Sequence, residues 1–193
     1  MISVLALVVS AIAQNDKSTS LPKSVEFKPT LKLKNFGQIN NNYFRGARPA
    51  DQDYQSLAAM GVKTIINLER KGDQEAQQKA EAAGLKFIRI GMSDSDSPND
   101  ADVQKFLSLA NDPANQPIYV HCKGGRHRTG LVTAVYRIEH DGWTADQAYE
   151  EMKQFDFGYG FGHGDLKDYV YNYYSHKEQQ NAVGHSATTG NPK

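Results

Sequence analysis

The stretch Pro117-Ile118-Tyr119-Val120-His121-Cys122-Lys123-Gly124-Gly125-Arg126-His127-Arg128-Thr129-Gly130 runs from an apolar, β-branched segment into a glycine-bearing loop. A helical pattern over Leu131–His140 follows it and closes at Asp141-Gly142. Pro117–Val120 reads as a strand, so the loop joins a strand end to a helix start. Such a loop turns several backbone N–H groups toward its centre and forms a nest for a tetrahedral anion. Gly124 and Gly125 allow the tight curl that close approach needs. Arg128, six residues after Cys122, can fold back and hold two oxygens of the anion with its planar fork. Cys122 sits at the base of this positive cage near the following helix N-terminus, and both features favour the nucleophilic thiolate. Lys123, Arg126 and His127 add to the positive surround. Thr129 is placed to donate its hydroxyl to the sulfur, and His121 orients the loop through its ring nitrogens.

Outward from that loop, Val62–Leu68 and Leu85–Ile90 read as further buried strands. Tyr43–Gly46 forms a short segment ahead of a helix-like stretch, Asp51–Met60, which breaks at Gly61. Helical patterns occupy Asp73–Ala83, stopped by Gly84, and Asp100–Ala110, with Asp100 read as its cap. Thr144 caps a helix to about Gln154, and Leu166–Tyr174 forms a last one. Strands alternating with helices indicate an α/β domain, with a central, mostly parallel sheet flanked by helices. Ligands bind such sheets at the strands' carboxyl ends. The glycine-rich piece 158–164 is a loop without an assigned role.

The chain has 193 residues, 22 basic and 22 acidic side chains, and one cysteine. That length fits one domain with a sizeable core. Zero net charge argues against a nucleic-acid-binding protein. A single cysteine excludes an internal disulfide, a redox pair and a cysteine-rich zinc site. Two scattered histidines, His127 and His163, are a weak metal signal, so neither a metal nor a cofactor is expected. Residues 2–13 are uncharged and too short to span a bilayer, and Ala11-Ile12-Ala13 fits a signal-peptidase site. The expected organisation is a signal peptide at 1–13, a linker at 14–36, a domain at 37–175 and a disordered tail at 176–193. The expected product is an exported, periplasmic or secreted monomer without stable membrane insertion.

His121-Cys122, Arg128, Thr129 and Gly130 match the cysteine phosphatase signature His-Cys-x5-Arg-Ser/Thr-Gly. For a chain this size a chance match is roughly one in ten thousand, and the flanking strand and helix supply the required context. From about Asn35 to Tyr174 the chain resembles the dual-specificity phosphatase superfamily. Tyr43-Phe44-Arg45-Gly46-Ala47-Arg48-Pro49 resembles its early Tyr-x-Arg-Ser/Gly-x-x-Pro motif, and Ile65–Leu68 its strand motif. Asp100–Val103, the run from Leu131 to Ile138, and Gly142-Trp143 resemble exported bacterial tyrosine phosphatases of the TpbA type. The loop is also similar to that of plant and fungal atypical phosphatases that act on inositol pyrophosphates.

The resemblance implies the three-layer fold of those phosphatases. It implies phosphomonoester hydrolysis through a phosphocysteine, with an aspartate on an upstream loop as general acid. Asp94 and Asp96 lie 28 and 26 residues before Cys122. Alignment through Asp100–Val103 puts Asp96 on the acid position and leaves Asp94 in reserve. A phosphorylated protein is the expected substrate. Lys123 and Arg126 occupy positions where tensin-like lipid phosphatases also carry lysine, which makes an inositol polyphosphate or phosphoinositide the second reading. Arsenate reductases need further cysteines, and rhodanese-type sulfurtransferases lack the arginine. The reading from another class is a catalytically inactive phosphate-binding module.

Overall fold

The computed structural model describes residues 31–71, 74–94, 96–158 and 163–188. The apolar run 1–13, the linker as far as residue 30 and glycine-rich residues 159–162 lie outside them. Strands β1 (Gly37–Asn40), β2 (Tyr43–Ala47), β3 (Thr64–Glu69), β4 (Lys86–Met92) and β5 (Ile118–Cys122) form one sheet in the order β1-β2-β5-β3-β4. Only the hairpin β1–β2 is antiparallel; the pairs β2–β5, β3–β5 and β3–β4 are parallel. The helices are α1 (Asp51–Ala59), α2 (Gln74–Ala82), α3 (Asp100–Asn111), α4 (His127–His140), α5 (Ala145–Gln154) and α6 (Gly164–Thr188). The expected α/β architecture is therefore present.

Strand alternation sends successive side chains to opposite faces and divides the core in two. Ile66 and Leu68, Ile118 and Val120, and Tyr43 pack with helices α3–α6. Ile65, Tyr119 and Phe44 pack with α1 and α2 on the other face. The same alternation in β5 delivers Cys122 to the α4 side, while His121 stacks on Tyr119 at 5.9 Å on the opposite face. The parallel strands end together, so the loops after β2, β3, β4 and β5 converge on one end of the sheet.

Several boundaries move from their expected places. Strand β1 has a single buried apolar residue, Ile39, too little to announce a strand. Helix α3 is capped by Asn99, whose side chain accepts from the Ala101 N–H at 2.8 Å. Asp100, read as that cap, instead accepts a hydrogen bond from the Tyr169 hydroxyl at 2.7 Å. Thr144 does cap α5, within a capping box shared with Gln147.

The stretch from residue 176, read as the start of a disordered tail, continues α6 through Thr188. Its Lys, Glu, Gln and Ala residues suit a helix. Lys177 anchors it by donating to the Ile138 carbonyl at 2.9 Å and pairing with Glu139 at 3.0 Å. Among the described residues no helix is long and apolar enough to cross a membrane.

The end of the expected linker also belongs to the packed structure. Leu31, Leu33 and Phe36 lie partly buried against the α1–α2 core, and the Ala47 N–H donates to the Lys34 carbonyl at 2.9 Å. A chain beginning at Gly37 should therefore be less stable than one beginning at Leu31. The difference expected from three partly buried apolar side chains is about 2–4 kcal/mol, measured by urea denaturation of the two truncations.

Candidate active site

Cys122 ends β5, is 3% exposed and lies opposite Ala47 of β2 in the sheet register. The chain then turns through residues 123–126 into α4, which starts four residues earlier than its apolar pattern suggested. Gly130 N–H already bonds the Arg126 carbonyl at 2.8 Å. Gly125 has φ +67°, and a β-carbon there would lie 2.4 Å from the Gly46 carbonyl carbon and 2.6 Å from the Ala47 nitrogen. No side chain fits that contact. Gly46 is equally constrained, since a β-carbon on it would meet the Tyr119 hydroxyl at 2.2 Å. That hydroxyl donates to the Ala47 carbonyl at 2.6 Å.

The carbonyls of the turn are all held outward. Lys123 O accepts from the Arg48 N–H at 3.4 Å, Gly124 O from the Asn35 side-chain amide at 2.8 Å, and Gly125 O from Arg45 Nη2 at 2.7 Å. In a trans peptide the C=O and the following N–H point in opposite directions. The N–H groups of Gly124, Gly125 and Arg126 therefore face the loop's centre, as an anion nest requires.

Arg128, in the first turn of α4, lies over the ends of β3 and β4. Its Nη1 makes long contacts to the carbonyls of Leu68 and Met92 at 3.5 and 3.4 Å. Arg45 is fully buried with its guanidinium 3.9 Å above the Phe155 ring. Burial pushes its pKa down, while Tyr43, Glu151 and Cys122 within electrostatic reach favour its charge. Arg48 pairs with buried Glu69 through two hydrogen bonds, one of them 2.8 Å from Nε to Oε1. Burial alone would raise the Glu69 carboxyl, but the Arg48 hydrogen bond and charge outweigh it and hold it below the usual range.

Of the residues expected at the site, the structure places Cys122, Lys123, Gly124, Arg126, His127 and Arg128 around one cavity of about 630 Å³. Asp94, His163 and Lys34 complete its wall. Asp94, not Asp96, faces this cavity. Asp96 instead accepts the Ser93 hydroxyl at 2.7 Å, beside the loop. The reserve candidate, Asp94, is thus the one at the cavity wall, while Ser93 takes up the Asp96 carboxylate. Thr129 is buried beneath the loop, and its hydroxyl has no hydrogen-bond partner among the described residues, so the expected bond to the sulfur is not formed.

His127 stacks on His163 with ring centroids 3.4 Å apart and meets the Phe157 edge at 5.5 Å. Burial, then the charges of His163, Arg126 and Arg128, lower the His127 pKa to about 4. Among the described residues no cluster of three or more His, Cys, Asp or Glu is placed to hold a metal ion.

A second cavity of about 460 Å³ opens beside the first, sharing Asp94, Lys123 and Arg128 and adding Arg48, Arg70 and Lys71. Sequence reading passed over Lys34, Arg70 and Lys71. The signal that could have found the last two is their place just after β3, at the sheet end where ligands bind.

The comparisons with known proteins agree with this geometry. The family model described as DSP-PTPase phosphatase fused to NAD+ kinase matches residues 24–161, and the chain belongs to that phosphatase family. Inositol diphosphatase DSP4 of Arabidopsis thaliana is 29% identical over 135 residues, covering 67% of this chain and 66% of the relative. Dual specificity protein phosphatase TpbA of Pseudomonas aeruginosa is 31% identical over 125 residues, covering 64% and 56%. The crystal structure of the core catalytic domain of the PP-IP phosphatase SIW14 from S. cerevisiae, in complex with citrate, superposes with a TM-score of 0.68 at 23% identity. That superposition covers 81% of this chain and 95% of the other. The chain spans about half to two thirds of the length of the curated relatives it matches. The expected superfamily and fold are both borne out.

His121 generates a test of the site's foundation. Its ring is fully buried, and neither nitrogen has a hydrogen-bond partner at good geometry among the described residues. Burial lowers its pKa to about 4, against smaller opposing effects of Glu69 and the Cys122 backbone. The unfolded ring takes up its proton near pH 6.5 and the folded one only near pH 4. Between those values the unfolded state binds more protons, so stability falls as pH falls. The loss expected from this ring is about 3 kcal/mol. Urea denaturation at pH 7 and pH 4 should show this loss, and His121→Asn should reduce it.

Proposed function

We propose that this chain hydrolyses phosphomonoesters through a phosphocysteine intermediate. The observation that carries the reading is one cavity lined by Cys122, Arg128 and Asp94, contributed by two separate loops at the same sheet end. The Cys122 thiolate attacks phosphorus, forming an S–P bond as the P–O bond to the leaving group breaks. Asp94 delivers its proton to that departing oxygen. A water molecule then attacks phosphorus, Asp94 takes its proton, and the S–P bond breaks to release inorganic phosphate and the thiolate. Arg128 and the N–H groups of Gly124, Gly125 and Arg126 stabilise the charge of both transition states. His121, stacked beneath the loop, keeps it in place, and Thr129 holds a hydroxyl in reserve for the leaving sulfur.

Activity toward an aryl phosphate tests the assignment. Cys122→Ser should be inactive, because an alkoxide is not available near neutral pH. Asp94→Asn should lose on the order of 10²–10⁴ in kcat, the range of general acid–base catalysis. Asp96→Asn should stay near wild type; the reverse pattern would return the acid to Asp96.

A phosphorylated protein side chain remains the first substrate reading, and the TpbA relative supports it. A specific observation favours a second substrate, an inositol polyphosphate or pyrophosphate. Arg48, Arg70, Lys71 and Lys123 line the cavity beside Cys122 against two acids, Glu69 and Asp94. Further phosphate groups on one small ring would find cations there, and the DSP4 relative supports this reading too. Turnover of a phosphotyrosine peptide and an inositol polyphosphate should be compared in wild type and in Arg70→Ala/Lys71→Ala. A raised KM for the inositol compound alone assigns that cavity to its outer phosphates.

A further inference from the structure

We infer that Asn35 and Arg45 are positioning residues that hold the anion nest open by pinning two of its carbonyls outward. The inference rests on the reading of the 123–128 loop as a phosphate site. Neither side chain lines the cavity or stands where it would touch substrate. Each donates instead to the outer side of the turn, Asn35 to Gly124 O at 2.8 Å and Arg45 to Gly125 O at 2.7 Å. Those carbonyls belong to the peptide planes whose N–H groups face inward. If either plane flips, a carbonyl replaces an N–H in the nest and repels the anion. A loop rich in glycine resists such a flip poorly by itself, because glycine populates both signs of φ.

The surroundings of the two donors fit this role. Arg45 is a fully buried cation whose Nε and Nη1 have no hydrogen-bond partner among the described residues. Among the described residues the side chain's hydrogen bond is to the loop, and the Phe155 face lies 3.9 Å from its guanidinium. Asn35 has φ +52°, a left-handed conformation that asparagine tolerates better than most residues. Because β1 runs antiparallel to β2, its start lies at the sheet end where β2 and β5 finish, and that turn sets the Asn35 side chain against a loop 89 residues away in sequence. The donor comes from the stretch that composition presents as a linker.

Two readouts separate positioning from simple structural support: equilibrium binding of tungstate, a tetrahedral oxyanion that fills the nest, and the thermal midpoint. Asn35→Gly keeps the left-handed backbone comfortable and removes the donor. It should weaken tungstate binding about three- to tenfold, the worth of one such hydrogen bond. Its Tm should stay within a few degrees of wild type. Asn35→Asp keeps the shape but cannot donate when ionised, and should be at least as weak. Arg45→Lys, which shortens the reach and keeps the charge, should weaken tungstate by a larger factor. Wild-type tungstate affinity in both Asn35→Gly and Asn35→Asp would overturn the inference, as would losses that merely track falling Tm. Tungstate binding without any turnover in the wild type would instead remove the proposed activity and leave this inference to be judged on affinity alone.

Discussion

The site depends on a contact between two stretches of bare backbone. At Gly125 the turn after β5 presses against Gly46 and Ala47 of β2 so closely that one added carbon would sit inside van der Waals distance. Gly46 is in turn closed off by the Tyr119 hydroxyl. The loop that follows Cys122 is thus located against a neighbouring strand by main-chain atoms, which have no rotamers to vary. The sheet register of β2 with β5 sets where that wall stands. Everything else in the site, from the inward N–H groups to the reach of Arg128, is measured from this contact.

Charge is distributed in keeping with it. Net charge over the chain is zero, yet at this end of the sheet cations gather while acids are few. Glu69 is neutralised by Arg48, which leaves Asp94 as the acid of the cavity wall. The buried Arg45 is a cost to folding that its aromatic stack, its hydrogen bond and the nearby Tyr43 and Glu151 offset. A positive field in a partly desolvated pocket attracts a bound anion more strongly than the same charges would in open water.

The fold was largely legible in the chain because the strands that matter are apolar on both faces: Ile65, Ile66 and Leu68 in β3, and Ile118, Tyr119 and Val120 in β5. The hairpin strand β1 was not, since a polar edge strand carries no such pattern. The helical stretch after residue 176 was hidden by its polar composition, and what fixes it, Lys177 on α4, is a tertiary contact. In the site, Cys122 and Arg128 could be placed because spacing within one short loop leaves little freedom. Asp94 and Asp96 could not be ordered, because a loop's path depends on local bonds such as the one from Ser93. Asn35 enters through topology alone, so no local signal marks it, whereas Arg70 and Lys71 are marked only by their place just after β3.

Asp94 and Cys122, the acid and the nucleophile of the proposed reaction, belong to different segments, one following β4 and the other ending β5. The nest is locked to its neighbours through Asn35, Arg45 and Arg48, whereas among the described residues the loop bearing Asp94 carries the bonds between Ser93 and Asp96 and a long one from the Ser97 hydroxyl to the Asp165 carbonyl. Insertions or exchanges between Met92 and Asn99 would thus change the side of the cavity that Asp94 lines without moving the nest. One wall of the cavity is thereby free to vary in sequence while the opposite wall, built of main chain, keeps its shape.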